Sequence, residues 1–519
     1  MVNQCLRATQ RLALCFAVLL LAGCVQNPVT GARELGFIGT ADEIAIGRQH
    51  YGPTQQMEGG EYTLEPALTN YVADVTARLA RLSDRELPYE IVVLNSSVPN
   101  AWALPGGKMA INRGLLLELD NEAELAAVLA HEIIHAAARH GARAIERGML
   151  LEGALLIAAM AAEDTSYLPL VVVGAQLGAA LITQRHSREA EREADLYGME
   201  LMHRAGYDPS AAVTLQETFL RLSEDRRSNW LSGLFASHPP SAERVANNRA
   251  TAERLGNTGE LGRDSHQQAI ADLRRRAPAF EAADAARAAL AKNDLAGAKA
   301  AILRAIELEP DEASFHGLLG DLRLRQNRPD TAVAAFDRAI ERHPGFYGYW
   351  QGRGLAQLQL GQKPSARSDL ERGAGLLPTA LAMNTLGQME LAAGRQRQAR
   401  EYLNLAATAG GPAAEQARMT LVRLDLPNAP DRFLITRASI DERGRLQIEV
   451  SNRSPLTTSS IVVEVRLLQE DGRVAQRRIT VPAQLAAHQS VRFQSGLTLP
   501  TDTPAERVTT RVIAARVVD

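Results

Sequence analysis

The stretch HEIIH at residues 131–135 has the residue types and the spacing of a metal site. Residues four apart on an α-helix share a face, so His131 and His135 can direct their imidazoles to one point. Two neutral imidazoles suit Zn²⁺, which binds nitrogen ligands tetrahedrally and can keep one position open. Glu132 would lie beside that point, where a carboxylate can take a proton from water. The alternative is a polar patch on an Ala-rich helix, but the motif is rare by chance, so we predict a metallohydrolase with one Zn²⁺ per chain.

A zinc site of this kind needs a third protein ligand, and the segment SREAEREADLYG at 187–198 offers candidates. Glu191 and Asp195 are four residues apart, so a helix would present both on one face. Glu189 and Glu193 look solvated. The spacing alone leaves two possibilities open, namely a helix that faces the metal and an exposed acidic helix.

The segments HEIIHAAARH at 131–140 and EREAD at 191–195 together resemble the motifs of family forty-eight of the metallopeptidases. The resemblance extends over most of the chain to about residue 420. Within the family, the chain resembles the periplasmic members that carry tetratricopeptide repeats. This resemblance implies a zincin-like (gluzincin) α+β domain in which Glu191 is the third zinc ligand. It also implies that Glu132 is the catalytic base and that Asp195 donates a proton or orients a ligand.

Two further histidines near these motifs need separate interpretations. His140 is nine residues from His131, on the opposite side of a continuous helix, so we expect it not to reach the same metal. His238 lies in SHPPSAERV at 237–245, and the resemblance implies that it can bind the zinc in a latent state. The alternative for His238 is a turn residue before the next helix.

All three cysteines of the chain, Cys5, Cys15 and Cys24, lie at its beginning. Basic residues and then a short apolar run are typical of a signal peptide at 1–23, and the run is too short to span a bilayer comfortably. Its end, LAGC at 21–24, resembles a bacterial lipobox, in which cleavage precedes a lipid-modified cysteine. We therefore predict lipidation of Cys24 and an outer membrane lipoprotein facing the periplasm; a plain secretory signal is the alternative.

The net charge of the 519-residue chain is −3, which gives no electrostatic support for a nucleic-acid partner. Two apolar runs follow the HEIIH motif, at 153–162 and 167–183. The second is the only candidate membrane span after the signal peptide, but a proline and a glutamine interrupt it. We predict a buried hairpin next to the metal site, with a lip that dips into the membrane surface as the alternative.

A repeat of 34 residues runs from about 280 to 420, with small residues and prolines in phase. Helical patterning with this period, closed by a proline in each unit, is typical of tetratricopeptide repeats, which form an α-solenoid. The concave surface of such a solenoid suits peptides or partner proteins, and a purely structural spacer is the alternative. The residues that set the period are Ala298, Ala332 and Ala366, then Ile302, Phe336 and Leu370, and finally Pro310, Pro344 and Pro378.

After Pro430 the pattern changes to the alternation of short strands, which predicts a small β-sandwich at the C-terminal end. The fold class is therefore mainly α, with an α+β peptidase domain, an α-solenoid and this β-sandwich. We predict the following organisation: signal peptide at 1–23, lipidated segment at 24–60, peptidase domain at 61–255, repeats at 280–426 and β-sandwich at 430–519.

These features predict a zinc endopeptidase that faces the periplasm and hydrolyses unfolded or misassembled envelope proteins. A strand at 109–112 would pair with an extended substrate through main-chain hydrogen bonds. By resemblance, the clients would be outer membrane proteins under assembly, and the repeats would bind the assembly machinery. The alternative from another class is a chaperone or assembly scaffold whose metal site is seldom used. An enzyme of intramembrane substrates would require that 167–183 spans a bilayer.

Overall fold

The computed structural model describes residues 24–161, 186–224, 237–469, 472–501 and 503–518. The predicted signal peptide and the second apolar run, 167–183, lie outside the described residues. The chain divides into two compact units, 1–378 and 379–519, and the boundary falls inside the predicted repeat region. No helix among the described residues is both long and apolar enough to cross a membrane.

The first unit begins with the elements around the HEIIH motif. They are β1 (Cys24–Gln26), β2 (Arg33–Leu35), α1 (Thr40–Met57), α2 (Pro66–Ala80), β3 (Glu90–Leu94), β4 (Ala101–Leu104), β5 (Lys108–Asn112), α3 (Arg113–Glu118), α4 (Glu122–Ala137), α5 (His140–Ala161), α6 (Arg188–Arg204), α7 (Ser210–Glu224), α8 (Ala242–Leu255) and α9 (Arg263–Ala269). The mixture of helices and two small sheets, β1 with β2 and a three-stranded sheet of β3, β4 and β5, is the predicted α+β arrangement.

Helix α4 carries the HEIIH motif through the centre of this region. It is apolar on nearly all sides, so it forms a stable helix only when other elements cover it. The sheet and α2 pack on it, as do α6 and α7, and Leu129, Ile133 and Ile134 are fully buried. Its first turn is capped by Asn121, whose side chain accepts a hydrogen bond from the Glu124 amide. The metal motif is thus built on a rigid element.

The sheet has the strand order β3-β5-β4, with β3 parallel and β4 antiparallel to β5. Strand β5 was predicted to pair with an extended substrate, and that prediction is wrong because both of its edges are already paired. Strand β4, which the sequence pattern did not predict, pairs only with β5 among the described strands. The edge of the sheet next to α4 is therefore formed by β4.

Three helical hairpins follow in the first unit: α10 (Ala271–Ala291) with α11 (Leu295–Leu308), α12 (Ala313–Arg325) with α13 (Pro329–Arg342), and α14 (Tyr347–Gln359) with α15 (Lys363–Leu376). Each hairpin ends two residues before one of the prolines that recur every 34 residues. Gly320 faces Phe336, and a Cβ on that glycine would lie 2.6 Å from the ring. The predicted solenoid of helix pairs is confirmed, with small residues at the close approaches.

The first hairpin is not separate from the peptidase region. Phe280 of α10 is buried against Tyr62, with the two ring centroids 6.0 Å apart. The guanidinium of Arg113 lies 3.5 Å from the centroid of the Phe280 ring, and Asn95 accepts a hydrogen bond from the Nε of Arg113. One hydrophobic core therefore extends from the peptidase elements into α10 and α12.

In its described residues, the second unit contains three α-helices and six strands. They are α16 (Ala380–Ala392), α17 (Gln396–Ala407), α18 (Pro412–Asp425), β6 (Leu434–Ile440), β7 (Arg445–Asn452), β8 (Thr458–Leu468), β9 (Val474–Thr480), β10 (Ser490–Thr498) and β11 (Val508–Val517). The strands form two antiparallel three-stranded sheets with the orders β10-β7-β6 and β11-β8-β9. Their inner faces share one apolar core, so the predicted C-terminal β-sandwich is confirmed.

Candidate metal centre

Four predicted residues meet beside helix α4: His131, His135, Glu191 and His238. One donor atom from each lies within 4.8 Å of the donors of the others. The Nε2 atoms of His131 and His135 are 3.0 Å apart, and the Nδ1 atom of His238 is 3.3 Å from the first of them. The Glu191 carboxylate oxygens are 3.6 Å and 3.5 Å from the two Nε2 atoms.

These separations fit a zinc ion. Ligand atoms about 2.0–2.1 Å from zinc, at the corners of a tetrahedron, are about 3.3–3.4 Å from one another. The observed separations of 2.9–3.6 Å bracket that value. Three nitrogens and one carboxylate oxygen are also the donor types that zinc accepts. The residues present therefore fit the metal that the motif predicts.

Helix α6 brings Glu191 to this cluster because it packs unusually close to α4. A Cβ at Gly198 would lie 3.2 Å from the backbone nitrogen of His131, so a larger side chain would push the helices apart. Ala194, one turn earlier, is fully buried in the same contact. Ser187 caps the helix by accepting a hydrogen bond from the amide of Ala190. The segment whose orientation the spacing left open thus faces the metal site.

Asp195 lies on the outer side of the His131 ring, with Oδ1 3.1 Å from Nδ1 of the imidazole. Arg244 donates two hydrogen bonds of 2.7 Å to Asp195 and lies 2.9 Å from Glu191. Burial raises the pKa of Asp195, but the Arg244 guanidinium outweighs burial and holds the pKa below its usual value. An ionised, doubly hydrogen-bonded Asp195 fits an orienting role better than that of a proton donor.

Glu132 is buried, and its Oε1 lies 3.5 Å from Nε2 of His238. The other ring nitrogen of His238 is 2.9 Å from Oε1 of Glu191. Burial alone lowers the pKa of His238, but the charges of Glu191 and Glu132 raise it overall. Burial likewise raises the pKa of Glu191, yet His238, His135 and His131 hold it well below the usual value. His238 therefore lies between Glu132 and the other three donors.

The sequence-based expectation for His140 was wrong in its geometry. Helix α4 ends at Ala137, and Arg139 adopts a left-handed backbone conformation with a φ of 61° before α5 begins. The chain therefore turns, and Nδ1 of His140 lies 2.7 Å from Nδ1 of His135. Glu193, which looked solvated, is largely buried and lies 2.9 Å from Nε2 of His140.

Two residues of this site had no assigned role in the sequence. Arg244 holds Asp195 and Glu191, and His186 places its ring centroid 4.1 Å from that of His135. The only signal for Arg244 was the similarity of the SHPPSAERV segment at 237–245, since a lone arginine has no spacing that marks a role. No pattern of letters indicated His186.

An apolar cavity adjoins the metal cluster between helices α4, α6, α7 and α8. His131 and Glu132 line it on the side of the metal cluster, and Arg244 and Asn248 add polar groups at its wall. Most of the lining is aliphatic, aromatic or thioether side chain, from Ala127, Val128, Met199, Met202, Leu215 and Phe219. The site thus combines a polar cluster with an apolar cavity, a combination that is common in ligand-binding sites.

Comparison with known proteins agrees with this geometry. Residues 66–252 match Peptidase family M48, and residues 283–346 match a tetratricopeptide repeat family. The beta-barrel assembly-enhancing protease of Escherichia coli (strain K12) is 29% identical over 261 residues, which are 46% of this chain and 52% of that protein. Metalloprotease LoiP of the same organism is 28% identical over 242 residues, 44% of this chain and 93% of LoiP.

A eukaryotic protein is similar to this chain to a comparable degree. The mitochondrial metalloendopeptidase OMA1 of Schizosaccharomyces pombe is 36% identical over 179 residues, 34% of this chain and 51% of that protein. The chain thus spans about half the length of this relative and of the assembly-enhancing protease. The matched residues contain the HEIIH motif, Glu191 and Asp195. Residues 66–252 therefore form a region similar to Peptidase family M48, and residues similar to tetratricopeptide repeats follow it.

Proposed function

We propose that this protein is a zinc endopeptidase that hydrolyses unfolded or misassembled envelope proteins. The observation that carries the proposal is that His131, His135 and Glu191 converge from two packed helices beside the carboxylate of Glu132. His131, His135 and Glu191 would hold the metal, and Glu132 stands beside it without belonging to the ligand set. The name of one relative, beta-barrel assembly-enhancing protease, supports the choice of client.

The residues of the site have separate roles in this reaction. Zinc, when bound, supplies Lewis acidity that polarises the scissile carbonyl and lowers the pKa of water. Glu132 takes the proton from the attacking water and delivers it to the leaving amine. Asp195, held by Arg244, fixes the His131 ring so that its Nε2 faces the metal. Burial of these groups strengthens every charge interaction among them.

Strand β4 and the apolar cavity supply the substrate contacts. An extended peptide would add to the edge of β4 that no described strand pairs with, through main-chain hydrogen bonds that are indifferent to sequence. The cavity beside Glu132 would take one apolar side chain next to the cleaved bond. Both contacts favour chains that are locally unfolded, because a folded client offers neither a free strand nor an exposed apolar side chain.

Digestion of casein by the purified protein tests the proposed activity. We expect cleavage that a chelator abolishes and zinc restores, with apolar residues enriched beside the cleaved bonds when the products are mapped by mass spectrometry. A zinc-loaded protein that cleaves nothing, even after the change at His238 described below, would favour the chaperone or scaffold. The tetratricopeptide repeats support that second function, since a solenoid surface can bind clients or assembly machinery without chemistry.

We propose further that His238 keeps the enzyme latent. Its ring fills the space between Glu132 and the three remaining donors, which is where the attacking water has to lie. His238→Ala is therefore expected to raise basal casein cleavage and self-cleavage about tenfold or more, on the scale of one lost interaction of about 1.4 kcal/mol. Zinc should remain bound, because three protein ligands persist.

The measurement is the rate of casein cleavage by both proteins at equal zinc content. His203→Ala, on the same domain but outside the cluster, is the matched control and should leave the rate unchanged. An unchanged or lower rate for the His238 variant would show that the residue is a turn or substrate-contacting group.

We also propose that lipidation of Cys24 places the protein at the outer membrane, facing the periplasm. Cys24→Ser removes the thiol that would accept the lipid, so we expect it to abolish lipid labelling and to leave the chain unprocessed or soluble. Fractionation of the envelope measures this change. A serine variant that stays with the outer membrane like the parent would contradict the lipid anchor, because that variant lacks the acyl chains that would attach the parent stably to the membrane.

A further inference from the structure

The zinc ligand His135 has its outward-facing ring nitrogen against a second histidine. Its Nδ1 lies 2.7 Å from Nδ1 of His140, a residue that is only 2% exposed. The opposite nitrogen of His140, Nε2, lies 2.9 Å from Oε2 of Glu193. Arg143 approaches the same oxygen at 3.3 Å and also donates a 2.6 Å hydrogen bond to Glu34 of strand β2. A chain of polar contacts therefore runs outward from the metal site.

A metal bound at Nε2 of His135 would fix the positions of the protons along this series of contacts. His135 offers Nε2 to the metal cluster, so the proton of its neutral ring has to reside on Nδ1. Two ring nitrogens 2.7 Å apart share one proton, and Nδ1 of His140 is therefore the acceptor. His140 then carries its own proton on Nε2, from which it donates to the Glu193 carboxylate. Each of the two histidine rings thus has one tautomer that fits the hydrogen bonds to its neighbours.

We propose that His140 and Glu193 are positioning residues for the zinc ligand His135. Glu193 polarises His140, and His140 in turn holds the His135 ring in the tautomer and orientation that present Nε2 to the metal. A ligand histidine commonly has a carboxylate or a carbonyl in this place, as His131 has Asp195. Here a histidine is inserted between the ligand and the carboxylate.

The backbone around Arg139 explains how His140 reaches this position. The left-handed conformation of Arg139 ends α4 and returns the chain towards His135. The Arg139 side chain is buried, and it donates hydrogen bonds to Glu43 and to the carbonyl of Ile38. These contacts hold a conformation that a residue with a Cβ rarely adopts, so the placement of His140 is built into the fold.

Zinc affinity tests the proposal without any measurement of proteolysis. The full-length parent and its variants are loaded with zinc, and the zinc dissociation constant is measured by competition with a chelator. We expect His140→Phe to weaken zinc binding by about 10–100-fold, because outer partners of metal ligands have effects of this size. His140→Asn should be much closer to the parent, since its amide oxygen can still accept the proton of His135.

A second change removes charge while keeping shape. Glu193→Gln preserves an acceptor for His140 but loses the negative charge, so we expect a weakening several-fold in size and smaller than for phenylalanine. Replacing zinc by Co²⁺ should give a d–d spectrum that shifts in the His140→Phe and Glu193→Gln proteins, because the ligand field at His135 has changed. A purely structural role would alter thermal stability without moving this spectrum.

His266→Phe is the matched control. His266 is also a fully buried histidine of the peptidase region, with both ring nitrogens in hydrogen bonds, to Tyr71 and to the carbonyl of Leu119. The His266→Phe change is expected to lower the stability of the protein and to leave its zinc affinity and cobalt spectrum unchanged. If His140→Phe does not fold, Glu193→Gln decides the question. Parent-like zinc affinity and an unshifted cobalt spectrum in a folded variant would overturn the proposal, whether or not the protein proves to be a protease.

Discussion

Glu132→Gln is expected to lower casein cleavage by about 10²–10⁴-fold while one zinc per chain stays bound. The amide cannot take the proton from water, and this proton transfer is the step assigned to Glu132. The zinc ligands are unaffected, because Glu132 is not one of the four converging donors. Its Oε1 lies 3.5 Å from Nε2 of His238. Zinc content and the initial rate of casein cleavage are to be measured on the same preparation.

Glu189→Gln is the matched control for this change, since it alters an exposed glutamate near the N-terminal end of the same helix that carries Glu191. It should retain both zinc and activity. Loss of zinc from the Glu132 variant would place this residue among the ligands. Retention of most of the cleavage rate would mean that another group acts as the base.

Glu191→Gln is expected to raise the zinc dissociation constant by more than about 100-fold, beyond the range of outer partners, because it removes a direct ligand. The neutral amide is a poor zinc donor, and the buried charge that offsets the metal is lost. Arg244, which lies 2.9 Å from Glu191, would then keep Asp195 as its carboxylate partner. Zinc content after dialysis and chelator competition measure the effect, and casein cleavage should fall with the zinc.

The loss of the ligand should also be visible in stability. A metal that binds only the folded state stabilises it, so chelation should lower the melting temperature of the parent and leave the Glu191→Gln protein nearly unchanged. Glu189→Gln should respond to the chelator like the parent. Full zinc occupancy in the Glu191 variant would show that the third ligand is a different residue.

The sequence by itself determined the local parts of this site and the general architecture. His131 and His135 share a face because the helical period is a local property of the backbone, and the period needs no tertiary contact. The 34-residue repeat predicted the helix pairs of the solenoid for a similar reason, since each unit packs in the same way against its nearest neighbours. The alternation of apolar residues beyond residue 430 likewise predicted the strands of the β-sandwich.

Only the tertiary structure decided how distant segments meet. The close approach at Gly198 directs Glu191 to the metal site, and Arg244 reaches Asp195 from a helix further along the chain. The break in the helix at Arg139 depends on buried partners elsewhere, so a continuous helix was the natural but wrong expectation for His140. The sequence did not predict the strand order β3-β5-β4 for the same reason, because each strand can pair with any of several strands that are distant along the chain. Period and composition constrain neighbours along the chain, whereas contacts between elements depend on which surfaces pack together with the fewest voids and unpaired polar groups.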